Sequence, residues 1–102
     1  MSLTTDPKDP RLKRYTGEEK PGPEDEVYLV LSEEERAKGF VRPYRESYRH
    51  KTCGTTTTMG RALSETYARD PKFYGATYCC HCRVHRHVGE FVWTDDGQVV
   101  GS

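Results

Sequence analysis

The segments "HKTCG" (residues 50–54) and "YCCHC" (residues 78–82) decide how this chain folds. Each segment carries two potential metal ligands that are separated by two other residues. This is the ligand spacing of a zinc knuckle, a tight turn that presents two side chains to one metal ion. We therefore predict one structural Zn²⁺ site. Its predicted ligands are His50, Cys53, Cys79 and Cys82.

Four protein ligands complete a tetrahedral zinc site, so no position remains for water or substrate and the predicted role is structural. The run "CCHCRVHRH" (residues 79–87) leaves other ligand sets open. The residues that could replace one of the four are Cys80, His81, His85 and His87. A zinc ion with an open coordination position beside one of these histidines would indicate a small zinc-dependent hydrolase or nuclease. This is the second of two alternative functions that we consider.

The composition favours a metal-stabilised domain. Only 33% of the 102 residues are hydrophobic, and even with the nine glycines counted the chain stays below the roughly 45–50% typical of globular proteins. A chain this small and polar commonly needs disulfides or a metal to hold its fold. Three of the four cysteines lie within four residues, so a disulfide framework fits badly. Clustered cysteines without an apolar leader or membrane span indicate the reducing cytoplasm.

Residues 1–25 contain four prolines and few apolar side chains, which predicts a disordered or loosely attached tail. The zinc-binding domain is then predicted to comprise residues 26–102. It begins with a buried strand, "VYLVL" (residues 27–31), followed by a short helix over residues 33–38. Ser32 supplies the N-cap of this helix, and Gly39 its C-terminal stop.

The remaining elements follow from periodicity and turn residues. Residues 40–48 are predicted to form an edge strand, because Pro43 disfavours helix and neither face is apolar. Residues 59–69 have the apolar spacing of an amphipathic helix, which Thr58 caps and Pro71 ends. Residues 73–78 are predicted to form a strand. The segment "EFVWTDDGQVV" (residues 90–100) is predicted to form a β-hairpin, and turn geometry accounts for the presence of Asp95 and Asp96. Together these elements predict an α+β, zinc-ribbon-like domain: two knuckles, an inserted helix and a C-terminal β-hairpin.

The charge distribution suggests a nucleic-acid surface as the first alternative function. The chain carries sixteen basic and sixteen acidic residues, yet residues 36–51 hold six basic side chains against one glutamate. Arginines interleaved with tyrosines are suited to phosphate contacts and base stacking. The candidate contacts are Arg42, Tyr44, Arg45, Tyr48 and Arg49. The competing interpretation is a solvated edge strand whose charges prevent aggregation.

Three runs, "EERAKGFVRPYRESYRHKTCG", "ETYARDPKFYGATYCCHC" and "EFVWTDDGQVVGS", together resemble a family of small, mostly uncharacterised proteins of tailed bacteriophages and prophages. The resemblance covers about residues 27–102. It implies a phage-encoded cytoplasmic protein with a zinc-ribbon-like core, and it brings no settled activity.

The neutral net charge, the closed zinc site and the seven tyrosines favour an interaction module. We predict a zinc-stabilised accessory or inhibitor protein that docks on a host or phage protein.

Overall fold

The computed structural model describes residues 2–12, 20–22 and 27–102, and within these ranges the chain is an α+β protein. The predicted fold class is therefore confirmed at this level. The elements are β1 (Ser2–Thr4), β2 (Val27–Leu29), α1 (Glu33–Arg36), β3 (Ser47–His50), β4 (Thr56–Thr58), α2 (Arg61–Arg69), β5 (Ala76–Cys79), β6 (Val84–His87), a 3₁₀ turn (Val88–Glu90) and β7 (Phe91–Trp93). Neither helix in the described ranges has the length and hydropathy needed to cross a bilayer.

The strands form three small sheets. The largest has the order β4-β3-β7 and is antiparallel throughout, with Tyr48 opposite Trp93 and Arg49 opposite Thr56. A two-stranded antiparallel sheet joins β5 to β6. The third sheet pairs β1 with β2 in parallel. The first two sheets matter most for function, because each contains a hairpin whose turn carries two of the predicted metal ligands.

The predicted N-terminal tail is partly structured. Ser2–Thr4 form β1, and the N–H of Val30 donates to the carbonyl of Thr4, so the first residues are attached to the domain rather than free. Gly22 is also in contact with the domain, since its carbonyl accepts a hydrogen bond from the Tyr78 hydroxyl. Residues 13–19 and 23–26 lie outside the described residues. The predicted domain boundary between residues 25 and 26 falls among them and stays a prediction.

The capping residues set the limits of α1. The Ser32 hydroxyl accepts a hydrogen bond from the N–H of Glu35, as the sequence predicts, and the acidic residues of the first turn face the positive end of the helix dipole. The helix ends at Arg36, two residues earlier than predicted. Gly39 follows with φ of +111°, a conformation that glycine adopts without strain.

The helix α2 begins two residues later than predicted. Its N-cap is Gly60, without a side-chain cap, so the predicted capping role of Thr58 is wrong: Thr58 belongs to β4 and its hydroxyl pairs with Ser47. Within α2, the Glu65 side chain is only 16% exposed because it pairs with Arg36 of α1. The helix ends at Arg69, immediately before Asp70 and Pro71, as predicted.

An aromatic cluster forms the core between α2 and the largest sheet. Tyr48 packs edge-on against Phe91 and Trp93, and Tyr67 of α2 packs edge-on against Trp93. Such edge-to-face pairs contribute about 0.5–1.5 kcal/mol each beyond their area burial. Cys79 is fully buried in the same cluster, and Cys53 and Cys82 pack against it. The three cysteines predicted as metal ligands thus lie in the core or pack against it.

The segment before the first knuckle is the clearest departure from prediction. Only Ser47–His50 form a strand, and β3 lies in the centre of its sheet rather than at the edge. Two strands flank it. The run of four threonines at residues 55–58 supplies β4, and residues 91–93 supply β7. The C-terminal hairpin is present with its turn over residues 94–97, but its second arm is reduced to one bridge between Val92 and Val99.

Candidate metal centre

Two hairpin turns bring the four predicted ligands together. The turn between β3 and β4 carries His50 and Cys53, and the turn between β5 and β6 carries Cys79 and Cys82. Each turn is closed by the same backbone hydrogen bond: the N–H of Gly54 donates to the carbonyl of His50 at 2.7 Å, and the N–H of Arg83 donates to that of Cys79 at 2.7 Å. The turns are therefore built alike and present their ligands in the same way.

The ligand atoms have the spacing of a tetrahedral site. All four lie within 4.8 Å of one another, and the closest pairs join Cys53 Sγ to His50 Nδ1 (3.4 Å), Cys53 Sγ to Cys79 Sγ (3.5 Å) and Cys82 Sγ to His50 Nδ1 (3.5 Å). Zinc bonds of about 2.3 Å to sulfur and about 2.0 Å to nitrogen correspond to ligand–ligand distances of about 3.5–3.8 Å. The cluster can therefore hold one metal ion between its four side chains.

His50 is oriented by contacts on both sides of its ring. Its Nε2 atom lies 2.9 Å from Glu90 Oε1, and its ring stacks on Phe91 at a centroid distance of 4.6 Å. A neutral imidazole that donates Nε2–H to this carboxylate leaves the Nδ1 lone pair free for a metal, and the carboxylate raises the basicity of that nitrogen. Glu90 therefore selects the tautomer of His50 that binding through Nδ1 requires.

The thiols of Cys53 and Cys82 have different pKa values. Burial raises the pKa of the Cys53 thiol. Hydrogen bonds outweigh this effect and lower the pKa to about 6; most come from the backbone and side chain of Thr55, and smaller contributions come from Cys79 and His50. Burial raises the pKa of Cys82 to about 11, reinforced by Cys79 and Cys53. Without a cation, the cluster thus favours one thiolate and resists a second. A bound cation would remove this conflict, because it stabilises every thiolate around it.

The alternative ligands lie outside the cluster. Cys80 is exposed and its N–H donates to the Thr57 hydroxyl, while His81 is exposed to solvent. His85 is buried, but its Nε2 lies 3.0 Å from the Tyr28 hydroxyl. His87 is exposed, and its Nδ1 accepts a hydrogen bond from the N–H of Gly89. Among the described residues, the only cluster of three or more candidate ligands is the predicted one.

The predicted nucleic-acid contacts are not on one surface. Arg42, Tyr44 and Arg49 are exposed. Arg45 is buried, donates through one guanidinium nitrogen to Asp96 and Gln98, and stacks over Trp93 at 4.8 Å. Tyr48 is buried as well, and its hydroxyl donates to the carbonyl of Tyr78. The predicted five-residue interface is therefore wrong at Arg45 and Tyr48. Tyr48 lies on the inward face of the central strand β3, and Arg45, which precedes β3, packs against Trp93 and Asp96.

Two functional contacts were not predicted from the sequence. Glu90 lies 40 residues from His50, and nothing in the local pattern indicates that they meet. Asp96 was interpreted only as a turn residue, yet it also holds the buried Arg45 guanidinium. A buried arginine needs a carboxylate partner, but the sequence does not show that Arg45 is buried, so the pairing with Asp96 had no local signal.

No protein-family model matches the chain, and comparisons with curated proteins and with solved structures found no match.

Proposed function

We propose that the protein is a zinc-stabilised interaction module, built on a zinc-ribbon-like pair of knuckles, that docks on another protein. The observation that carries this proposal is an ordered, exposed apolar loop on a domain whose metal ligands are all supplied by the protein. With four ligands, three of them thiolates, a zinc ion has no open coordination position, so its role is to hold the fold. The function then lies at the surface.

The loop of residues 40–44, here called the docking loop, is the most apolar exposed segment of the described chain. Phe40 is 45% exposed, Val41 56% and Tyr44 37%, and these are three of the five exposed large hydrophobic side chains in the described ranges. The rings of Phe40 and Tyr44 lie 6.3 Å apart and tilted by 30°, so they form one continuous apolar surface. Contiguous exposed apolar patches commonly mark protein interaction sites.

The docking loop is fixed at both ends, which lowers the entropy cost of binding. The N–H groups of Val41 and Arg42 both donate to the carbonyl of Ala68 at the end of α2. The Arg42 guanidinium reaches the carbonyl of Ser102, and the buried Arg45 anchors the chain that follows. An exposed arginine beside a preordered apolar loop fits a partner with an apolar pocket and an acidic rim.

The tyrosines support this proposal less than the sequence suggested. Six of the seven lie in the described residues, and three of these, Tyr48, Tyr67 and Tyr78, are buried in the core. Tyr44 alone among the six is counted with the exposed large hydrophobics. Most tyrosines of the described residues therefore stabilise the core, and among these residues only the docking loop offers an exposed tyrosine to a partner.

The resemblance to bacteriophage proteins supplies the proposed setting. We infer a phage-encoded accessory or inhibitor protein that acts in the bacterial cytoplasm on a host or phage protein. The zinc-dependent hydrolase or nuclease would require an open metal site, and the histidines considered for it lie outside the ligand cluster. Nucleic-acid binding through residues 36–51 would have to proceed without Arg45 and Tyr48, which are buried.

The test is site-specific crosslinking in bacterial lysate, with and without phage proteins. A photoreactive side chain at Phe40 should capture one protein in a saturable manner, and unlabelled wild type should compete. Val41→Asp should abolish capture. The matched control position is Leu3, which has the same exposure of 45% and lies on β1. Equal capture from both positions, or capture that Val41→Asp leaves unchanged, would reject the docking loop as the interface.

A further inference from the structure

The charges of this neutral chain are segregated along the sequence. None of its sixteen carboxylates falls in residues 47–64 or 71–89, the two segments that contain the knuckles. The basic residues of these segments are Arg49, Lys51, Arg61, Lys72, Arg83 and Arg86. The knuckles therefore lie in chain segments that carry only positive charge, although the total charge is zero.

Three cations beside the knuckles lack the ion pairs that other cations of the described chain form. Five arginines and lysines near α1, α2 and the C-terminal turn pair with carboxylates. These are Arg36 with Glu65, Lys38 with Glu35, Arg45 with Asp96, Arg61 with Glu65 and Arg69 with Glu35. Within the described part of the chain, no carboxylate forms an ion pair with Arg49, Lys51 or Arg83, and all three are exposed.

Each of these three cations directly flanks a residue of the metal cluster in the chain. His50 Nδ1 and Cys82 Sγ lie 3.5 Å apart, and Lys51 follows His50 in the chain as Arg83 follows Cys82. Arg49 is on the outer face of β3, where it lies opposite Thr56, an exposed threonine of β4. We call Arg49, Lys51 and Arg83 the knuckle patch. Glu90, whose backbone carbonyl accepts a hydrogen bond from the Lys51 N–H, has its carboxylate in contact with His50 Nε2.

We propose that the knuckle patch binds nucleic acid through the phosphate backbone, without preference for base sequence. Lysine, arginine and hydroxyl side chains are the groups that contact phosphates, and such contacts position a nucleic acid without reading its sequence. The two large aromatic side chains that are exposed in the described residues, Phe40 and Tyr44, belong to the docking loop. No exposed phenylalanine, tyrosine or tryptophan of the described residues therefore lies in the knuckles, and the proposal rests on phosphate contacts.

A competing explanation is that the cations balance the metal site. Zinc with three thiolates and a neutral histidine carries one net negative charge, which nearby cations would stabilise. The two explanations differ in what a neutral substitution changes. Loss of a phosphate contact weakens nucleic-acid binding and its salt dependence, whereas loss of a balancing charge weakens zinc affinity.

The experiment measures binding of the zinc-loaded full chain to labelled single-stranded DNA, the matching RNA and a duplex, by fluorescence anisotropy over a range of salt concentrations. Three phosphate contacts predict a slope of log K against log salt of about −2 for single strands. Arg49→Gln, Lys51→Gln and Arg83→Gln should each reduce the magnitude of that slope by about 0.7. Lys38→Gln and Arg61→Gln are the matched controls, because they remove the same charge elsewhere.

Four results would overturn the proposal. The first is the absence of salt-dependent binding to any of the three nucleic acids. The second is an equal loss of binding in the control variants, which would indicate a general charge effect. The third is a loss of zinc affinity in the knuckle-patch variants with unchanged nucleic-acid binding. Displacement of the oligonucleotide by polyglutamate at equal charge would also reject a phosphate site, and would indicate an acidic protein segment instead.

Discussion

Arg83 occupies in the second knuckle the position that Gly54 occupies in the first. Each residue directly follows the second ligand of its turn, each donates its N–H to the carbonyl of the first ligand, and each has a positive φ, +57° for Arg83 and +75° for Gly54. A left-handed conformation costs an ordinary residue about 1–2 kcal/mol, and it costs glycine almost nothing. The second knuckle therefore carries strain that the first avoids.

Replacing Arg83 with glycine should stabilise the zinc-loaded protein. We expect a gain of about 0.5–1 kcal/mol, because relief of the left-handed strain exceeds the extra chain entropy that glycine adds to the unfolded state. Denaturant unfolding in excess zinc measures the change. The matched variant is Gly54→Ala: a Cβ at this position meets no atom within 4 Å, so its expected cost of about 1 kcal/mol comes from φ alone. Destabilisation by Arg83→Gly would contradict the proposed strain.

Removing the Glu90 carboxylate should weaken metal binding without removing a ligand. Glu90→Ala leaves the Nε2 atom of His50 without its partner, and loss of such an orienting group typically reduces metal affinity about 10–100-fold. Glu90→Gln should fall between wild type and the alanine variant, because the amide oxygen still accepts a hydrogen bond. Zinc competition against a chromogenic chelator measures the affinity. Glu34→Ala, on the exposed side of α1, is the control and should bind zinc as wild type does.

The contact between Asp96 and Arg45 should make stability depend on pH in the acid range. A hydrogen bond from the Gln98 backbone lowers the pKa of Asp96 below its usual 3.8. Burial acts in the opposite direction, and the Arg45 guanidinium lowers the pKa further. A carboxylate with a lowered folded-state pKa contributes stability above its unfolded pKa, and this contribution is lost as pH falls through the folded value.

The test compares wild type with Asp96→Asn by denaturant unfolding at several pH values. The variant should be less stable by about 1 kcal/mol at neutral pH, because a charged hydrogen bond to the buried Arg45 becomes a neutral one. The difference should shrink as the pH falls below 3.8. Asp95→Asn provides the control, since Asp95 forms no ion pair in the described chain and its loss should change little. A difference independent of pH would argue against the ion pair.

The metal ligands could be predicted from the sequence because their spacing is local. A knuckle needs its two ligands three positions apart, whatever the rest of the fold does, and both turns satisfy this. The start of α1 and the end of α2 were predictable for the same reason, since Ser32 and Pro71 act on the few residues beside them. The end of α1 and the start of α2 each differ from the prediction by two residues. These signals do not depend on which strands later pair.

The position of β3 could not be predicted because it depends on a distant partner, and β6 was missed because its polar sequence does not indicate a strand. The alternation of β3 places Tyr48 inward, but only its pairing with β7, more than 40 residues away, shows that this face is core. The polar sequence of β6, "VHRH", has no apolar face and suggested metal ligands instead of a strand. It is held by pairing to β5 across a turn that contains Cys79 and Cys82, and by contacts of His85 with Tyr28 and Tyr78.

The central claim is that the domain is held by one zinc ion bound by His50, Cys53, Cys79 and Cys82. Native mass spectrometry of Cys79→Ala and Cys80→Ala, paired with circular dichroism before and after chelation, tests it most directly. The two cysteines are neighbours, but only Cys79 is in the cluster. We predict one zinc in wild type and Cys80→Ala, loss of zinc and of the folded state in Cys79→Ala, and unfolding of wild type by chelator. A wild-type protein without metal, or a zinc that survives in Cys79→Ala and is lost in Cys80→Ala, would contradict the account.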